Sequence, residues 1–352
     1  MTISFDDYTY YPSLRTRLWE MRGYKELGAA EKERVLPMFV LTKHNQTTGA
    51  GAVCQVVQAS LEERSFILDV ESSPIYACDD TNAFLDPAGG FQAWRNFVQA
   101  QPGAIPTALL PSGAPIRDIV RQVIEFERVN EKVVVRSRSP AADLSTLIAI
   151  ISAVDSVENL LIVLDFGYVR SRVPACAVDA ANTINALRNV DPTVRVVVMG
   201  SSYPRSAAAY DDAGAALEIE ERILHAAIGG NTVAIYGDHS SIHPEPFEPL
   251  PSRFVPRIDY ALADSWIFRR VREDKGGFKE CAEQITGLTD WDPRLVDQQV
   301  WGAVKIQAAA DGDITRMGTP GAWIAVRVNL HLWQQIHFAG EALDEDNGDV
   351  FG

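Results

Sequence analysis

Several apolar runs of this chain end in side chains that can do chemistry. In "SFILDVES" (65–72), Asp69 and Glu71 stand two apart, so a strand puts both on one face. "EKVVVRSRS" (131–139) ends with Arg136 and Arg138 in the same relation. "NLLIVLDFGYV" (159–169) closes on Asp165 and Tyr168, "TVRVVVMGSS" (193–202) on Ser201 and Ser202, and "NTVAIYGDHS" (231–240) on Asp238 and His239. Lys43 and His44 follow "VLPMFVLT" (35–42). Paired guanidinium groups capture phosphate or carboxylate in bidentate fashion, and with Lys43 they would form an anion clamp. Asp69, Glu71, Asp165 and Asp238 suit general-base work or oxygen ligation of Mg2+ or Mn2+. No tight local motif joins them, so no metal and no cofactor is assigned. Lys43 could alternatively serve as a Schiff-base lysine.

Other motifs carry less. His239 and His243 have the i, i+4 spacing of a zinc pair, but "GDHSSIHPEPFEPLP" is a Ser- and Pro-rich loop, which favours a solvated or hydrogen-bonded role. There is no G-x-S-x-G, since "GSSYP" (200–204) lacks the second glycine. "GAGAVC" (49–54) lacks a Walker lysine and reads as the start of a helix. His331, set among apolar residues in "RVNLHLW", reads as a hydrogen-bonded core histidine. Cys54, Cys78, Cys176 and Cys281 are far apart and read as buried free thiols of a reducing compartment.

The elements that must position these groups follow from periodicity. The runs above have little polar alternation, which marks strands buried on both faces of a parallel sheet. "AIPTALLP" (104–111) is a further strand, and "RIDYALA" (257–263) supplies an eighth. Helical patterns lie between them: "IRDIVRQVIEFERV" (116–129), "DLSTLIAIISAV" (143–154), "PACAVDAANTINALRNV" (174–190) and "AALEIEERILHAAIGG" (215–230). Eight strand–helix repeats predict an α/β fold, a (β/α)8 TIM-like barrel, with an open doubly wound sheet as the rival. In a closed barrel all the polar strand ends meet at one mouth. A helix over 13–27 would precede the first strand and close the bottom of the barrel. Residues 1–272 would form the barrel with this helix. Residues 273–352 would form a mainly helical C-terminal module with an acidic, frayed tail.

The chain has 352 residues and a net charge of −15, with 47% hydrophobic and 22% charged residues. This is the balance of an ordered globular protein, and its acidity speaks against an extended nucleic-acid or anionic-membrane surface. The N-terminus lacks the basic start and apolar core of an export signal, and no apolar stretch is long enough to span a bilayer. The expected location is the cytoplasm, where the acceptor triplet Asn45-Gln46-Thr47 has no use.

Separated blocks resemble a known family. "YYPSLRTRLWEMRGYKEL", with Tyr11-Pro12, Leu14, Arg15 and Glu20, is similar to the opening of the phage and prophage beta protein family. Gly237-Asp238, "RIDYALADSWIFRR" with Tyr260, Trp266 and Arg269 or Arg270, and "GAWIAVRVNLHLW" with Trp323 and His331 resemble its later blocks. After Asp238, "HSSIH" stands where the family pattern has an aromatic residue and a glycine. The resemblance implies mobile-element, toxin-module or phage-defence association, and brings no agreed reaction.

Two main readings follow, with catalysis left open and a housekeeping lyase or isomerase of the same fold as a lesser third. In the first, the mouth binds an anionic, phosphorylated or nucleotide-like ligand through Arg136, Arg138, Tyr168, Ser201 and Arg269. Lys43, Asp69, Glu71, Asp165 and Asp238 would do any chemistry. In the second, the rim charges are a structural ion-pair layer with Arg136 or Arg138 bridging Asp69 and Asp165, and the acidic surface binds a cognate toxin, sensor or defence protein.

Overall fold

The computed structural model describes residues 3–44, 49–206, 210–211, 213–247 and 254–348, with side chains through residue 338. The triplet Asn45-Gln46-Thr47 and the end of the acidic tail lie outside the described residues. Eight parallel strands close into a barrel: β1 (Tyr10–Arg15), β2 (Met38–Leu41), β3 (Phe66–Val70), β4 (Ala104–Ala108), β5 (Val133–Ser137), β6 (Leu160–Tyr168), β7 (Arg195–Ser201) and β9 (Ile235–Asp238). β9 pairs with both β7 and β1, which completes the ring. A separate antiparallel sheet, in the order β10-β11-β8, is made by β8 (Gly214–Glu218), β10 (Arg257–Ala261) and β11 (Ser265–Arg270).

The helices around the barrel are α1 (Leu18–Lys25), α2 (Ala29–Glu33), α3 (Ala50–Leu61), α4 (Thr81–Phe84), α5 (Ala88–Gln99), α6 (Ile116–Asn130), α7 (Pro140–Ile151), α8 (Val173–Arg188) and α9 (Glu220–Ala227). α10 (Gly277–Thr286), α11 (Arg294–Asp297), α12 (Trp301–Ala310) and α13 (Pro320–Gly348) follow. Pro140 and Pro174 occupy first helical turns, where a missing N–H costs nothing. α3 starts at the Gly-rich stretch, as its sequence predicts, and the Asp80 carboxylate accepts the Ala50 N–H at 2.7 Å to satisfy its open N-terminus. All four cysteines are buried and unbridged. Among the described residues no helix is long and apolar enough to cross a membrane.

The barrel stands as predicted, but its strand list changes. "YYPSLR" is a fully buried strand, β1, and not the beginning of a helix over 13–27. Helix α1 follows it at the mouth side, so it does not close the bottom. That place is taken by Phe5, which is buried in the cluster filling the barrel interior. Asp6 pairs with Arg195 at the start of β7 and Lys132 lies over the Phe5 ring just before β5, which fixes Phe5 at the N-terminal face. "RIDYALA" is not the eighth barrel strand: it is β10, antiparallel to β11. Its apolar Ile258 and Tyr260 alternate with Arg257 and Asp259, the mark of a strand with two unlike faces. Residues 215–218, read as helix, form β8, and α9 begins only at Glu220.

Two further apolar clusters hold the layers. One lies between strands and surrounding helices. Another joins β10 and β11 to α10, α12 and α13 through Tyr260, Trp266, Ile285, Ile306 and Trp323. Trp333 on α13 packs against both, so the last helix is pressed onto the barrel and the small sheet together.

Candidate functional site

Strand parity decides which polar ends face the mouth. Tyr11, Met38, Ile67, Val134, Leu161 and Val197 fill the barrel interior. Residues one pleat further point the same way. Thus Asp69, Arg136 and Asp165 stand side by side in the lumen, all buried. Arg136 donates from Nη1 to Asp69 Oδ2 at 2.8 Å and from Nε and Nη2 to Asp165 Oδ2 at 3.0 and 2.7 Å. His239 Nε2 meets the other Asp165 oxygen at 2.9 Å, and the Gly167 N–H reaches it at the bulge that ends β6. Burial works against charge on Asp165, but His239 and Arg136 hold its carboxyl well below the usual range. Burial likewise opposes the Arg136 charge, and the two aspartates more than restore it. This is the bridging ion-pair layer of the second reading.

Asp238 has the opposite parity. Its carboxylate leaves the barrel and accepts from Tyr10 Oη at 2.7 Å and Tyr236 Oη at 3.0 Å, with His331 Nε2 of α13 at 2.8 Å. It is fully buried and joins the barrel wall to the last helix. Burial opposes its charge, and His331 and Tyr10 keep its pKa lowered. Asp69, Glu71, Asp165 and Asp238 therefore do not share one site, and among the described residues no three His, Cys, Asp or Glu side chains are grouped to hold a metal ion. His331, whose Nδ1 receives the Trp266 indole N–H at 3.3 Å, is the hydrogen-bonded core histidine its neighbours predict.

Above the lumen, residues 239–247 cross the mouth as a strap. Ser201 Oγ donates to Ile242 O at 2.9 Å, Tyr76 Oη to Phe247 O at 2.9 Å, and Arg15 to His243 O and Pro244 O at 3.1 and 2.5 Å. The strap divides the mouth into two chambers that share Arg15, Glu20 and Ile242. The smaller, about 350 Å3, lies over the ion-pair layer and takes in Glu71, Arg136, Arg138, Asp165, Tyr168 and His239. Arg138 is 43% exposed there and 3.6 Å from Asp69. Glu71 lies 3.7 Å from Arg15 and accepts the Ser73 N–H. Burial and Tyr210 push the Tyr168 hydroxyl up to about 12.

The larger chamber, about 630 Å3, opens between the barrel and the C-terminal elements. Cations reach it from distant parts of the chain: Arg15 and Arg17 at the β1 end, Lys43 after β2, Arg205 after β7, Arg257 from β10 and Arg327 from α13. Arg257 and Arg327 share Asp259, at 3.1 and 2.9 Å, and both donate to Tyr203 Oη. Arg205 pairs with Glu245 at 2.5 Å. Arg17 lies 4.7 Å from the Tyr76 ring centre and donates to its hydroxyl, whereas Lys43 Nζ donates to Pro74 O at 3.3 Å. Glu20 is the one carboxylate in this wall among the described residues; its Oε2 accepts the Arg15 N–H at 2.8 Å, and burial raises its pKa.

The expected clamp of Lys43 with Arg136 and Arg138 is thus split. Lys43 belongs to the large chamber, and Arg136 has both of its faces occupied by aspartates. Lys43 is half-buried in the wall of that chamber, with its Nζ donating to Pro74 O at 3.3 Å. Arg269 lies on β11, donates to Phe268 O at 2.9 Å and lines neither chamber. His239 and His243 do not converge on one point: His239 turns to Asp165, and His243 Nδ1 meets Tyr203 O at 3.0 Å. Arg15, Arg17, Glu20, Arg205, Arg257 and Arg327 were not singled out as site residues. Arg15 and Glu20 were visible in the N-terminal block, but reading that block as a helix removed them from the mouth.

The fold and this mouth define a (β/α)8-barrel protein with a cationic chamber at the C-terminal ends of its strands, where proteins of this fold bind their ligands. Residues 10–337 match the family model described as Beta protein, and the chain belongs to that family. It is 37% identical over 365 residues to Protein beta of Enterobacteria phage P4, an alignment covering 99% of this chain and 100% of the phage protein.

Proposed function

We propose that this member of a phage-associated family works in mobile-element or phage-defence modules by binding an anionic, phosphorylated ligand in the large chamber. One observation carries the reading: six Arg and Lys side chains line a single cavity in a chain whose net charge is −15, and two of them, Arg17 and Lys43, have no ion-pair partner among the described residues. Arg15, Arg205, Arg257 and Arg327 are offset by carboxylates of the protein, whereas leaving Arg17 and Lys43 uncompensated costs free energy unless something of opposite sign is bound there. The chamber has the size of a small-molecule site and mixes charge with the apolar and aromatic surfaces of Leu18, Trp19, Ile75, Tyr76 and Phe247. Glu20, buried in the wall common to both chambers, is the group placed to exchange a proton with a bound ligand.

The test is thermal unfolding at low ionic strength with a panel of phosphorylated metabolites. A ligand present at 100 times its Kd adds about 2.7 kcal/mol, a rise of several degrees in Tm. The rise should vanish in the Arg17→Ala, Lys43→Ala double variant. An unchanged rise in that variant, or no rise with any phosphorylated compound, overturns the proposal.

A further inference from the structure

Resting on the anion-site reading, we infer that the large chamber takes a nucleoside monophosphate, one phosphomonoester dianion carried on a planar base. The charge balance is the first argument. Its six cations face four carboxylates, namely Glu20 in the wall, Glu71 beside Arg15, Glu245 beside Arg205 and Asp259 beside Arg257 and Arg327. Two positive charges remain. Arg17 and Lys43 have no ion-pair partner among the described residues, and both lie next to Tyr76, which places the surplus on one side of the chamber. A phosphomonoester carries about −1.5 to −2 at neutral pH, which matches this surplus. A triphosphate would exceed it and press the excess against Glu20.

The second argument is an unmet donor. Arg327 is 3% exposed and lines the chamber, yet its Nε–H has no acceptor. A buried N–H left unpaired is costly, and a sugar hydroxyl or base carbonyl would satisfy it once a small shift of the Arg327 side chain opens that atom to the chamber. The third is a platform. A Cβ on Gly321 would fall 1.9 Å from the Trp19 indole nitrogen, so the lack of a side chain lets Trp19 lie directly on the α13 backbone. Trp19, fixed by this approach and with the Arg22 guanidinium 5.9 Å from its ring centre, lines the chamber beside Leu18 and Ile324, and an aromatic ring so held offers a planar base a stacking partner whatever its polar groups.

Calorimetric titration of the full chain tests this, with the four ribonucleoside monophosphates, their triphosphates, the free nucleosides, ribose 5-phosphate and inorganic phosphate as probes. At least one monophosphate should bind about tenfold or more tightly than its triphosphate, its nucleoside, ribose 5-phosphate or phosphate. Arg17→Ala and Lys43→Ala, both at accessible positions, should each weaken it about tenfold. Trp19→Leu should weaken the monophosphate and leave ribose 5-phosphate unchanged. Tighter binding of a triphosphate, or equal binding of ribose 5-phosphate or phosphate, overturns the monophosphate inference and leaves the anion site standing. Failure of every phosphorylated probe overturns both.

Discussion

The barrel lumen and the chamber beside it both collect arginines, and they use them in opposite ways. In the lumen Arg136 bridges Asp69 and Asp165, and His239 takes the remaining Asp165 oxygen. Every strong partner is already inside the protein, so little is left for a ligand. In the chamber the acids are fewer than the bases, and Arg17 and Lys43 face open space beside Tyr76. Convergence of charge at a barrel mouth is thus common to both regions and does not mark a site. What separates them is saturation: the lumen charges are paired within the fold, whereas Arg17 and Lys43 have no ion-pair partner among the described residues.

The largest effect should come from breaking the saturated layer. Arg136→Met leaves two carboxylates uncompensated in the lumen and should cost roughly 3–5 kcal/mol, measured by denaturant unfolding at pH 7. A loss below about 1 kcal/mol would mean the layer is not the closed network described. Asp238→Ala should cost about 2–4 kcal/mol by stranding His331 and two tyrosine hydroxyls, while the folded fraction still binds ligand. Loss of binding in that fraction would return Asp238 to the functional set.

A third kind of charge sharpens the contrast. Glu221 is fully buried, accepts from Ser202, and is pushed up to about 8 by burial. It is thus kept neutral where other acids are paired. A folded pKa above the unfolded value near 4.3 means that its stabilisation is full below about pH 4 and is lost as pH rises toward 8. Glu221→Gln removes this dependence, so the variant should be roughly 2–4 kcal/mol more stable than the parent at pH 8 and level with it at pH 4. Equal midpoints at both pH values would show that Glu221 is not held neutral.

The smaller effects test the unsaturated side. Arg17→Ala and Lys43→Ala should each change stability by less than about 0.5 kcal/mol while roughly halving the stabilisation given by ligand at 100 times the parent Kd. A stability loss several times larger would place them with the structural charges. Arg269→Ala, on the remote sheet, should alter neither stability beyond about 0.5 kcal/mol nor binding.

Most barrel strands were legible because their apolar runs lack alternation, as burial on both faces requires. β1 was not, since "YYPSLR" contains Pro12, has no β-branched residue and runs into Leu14, Leu18 and Met21 at helical spacing. That one misreading displaced Arg15, Arg17 and Glu20 from the mouth. The lumen set of Asp69, Arg136 and Asp165 was legible from parity alone. Asp238 failed by the same rule, because it was placed by being at a strand end and not by the face its neighbours Tyr236 and Gly237 imply. Arg257 and Arg327 could not be found from local pattern, since only tertiary packing brings β10 and α13 to the chamber.

The contribution of α13 has a consequence for the order in which the molecule becomes competent. Every barrel strand is synthesised before residue 240, but Arg327, Trp323 and the His331 partner of Asp238 are made last. A nascent chain can close its ring of strands while the inner wall of the chamber does not yet exist. A product released short of Pro320 would keep Arg15, Arg17, Lys43, Arg205 and Arg257 but would lack the wall that α13 brings to them through Ile324 and Arg327.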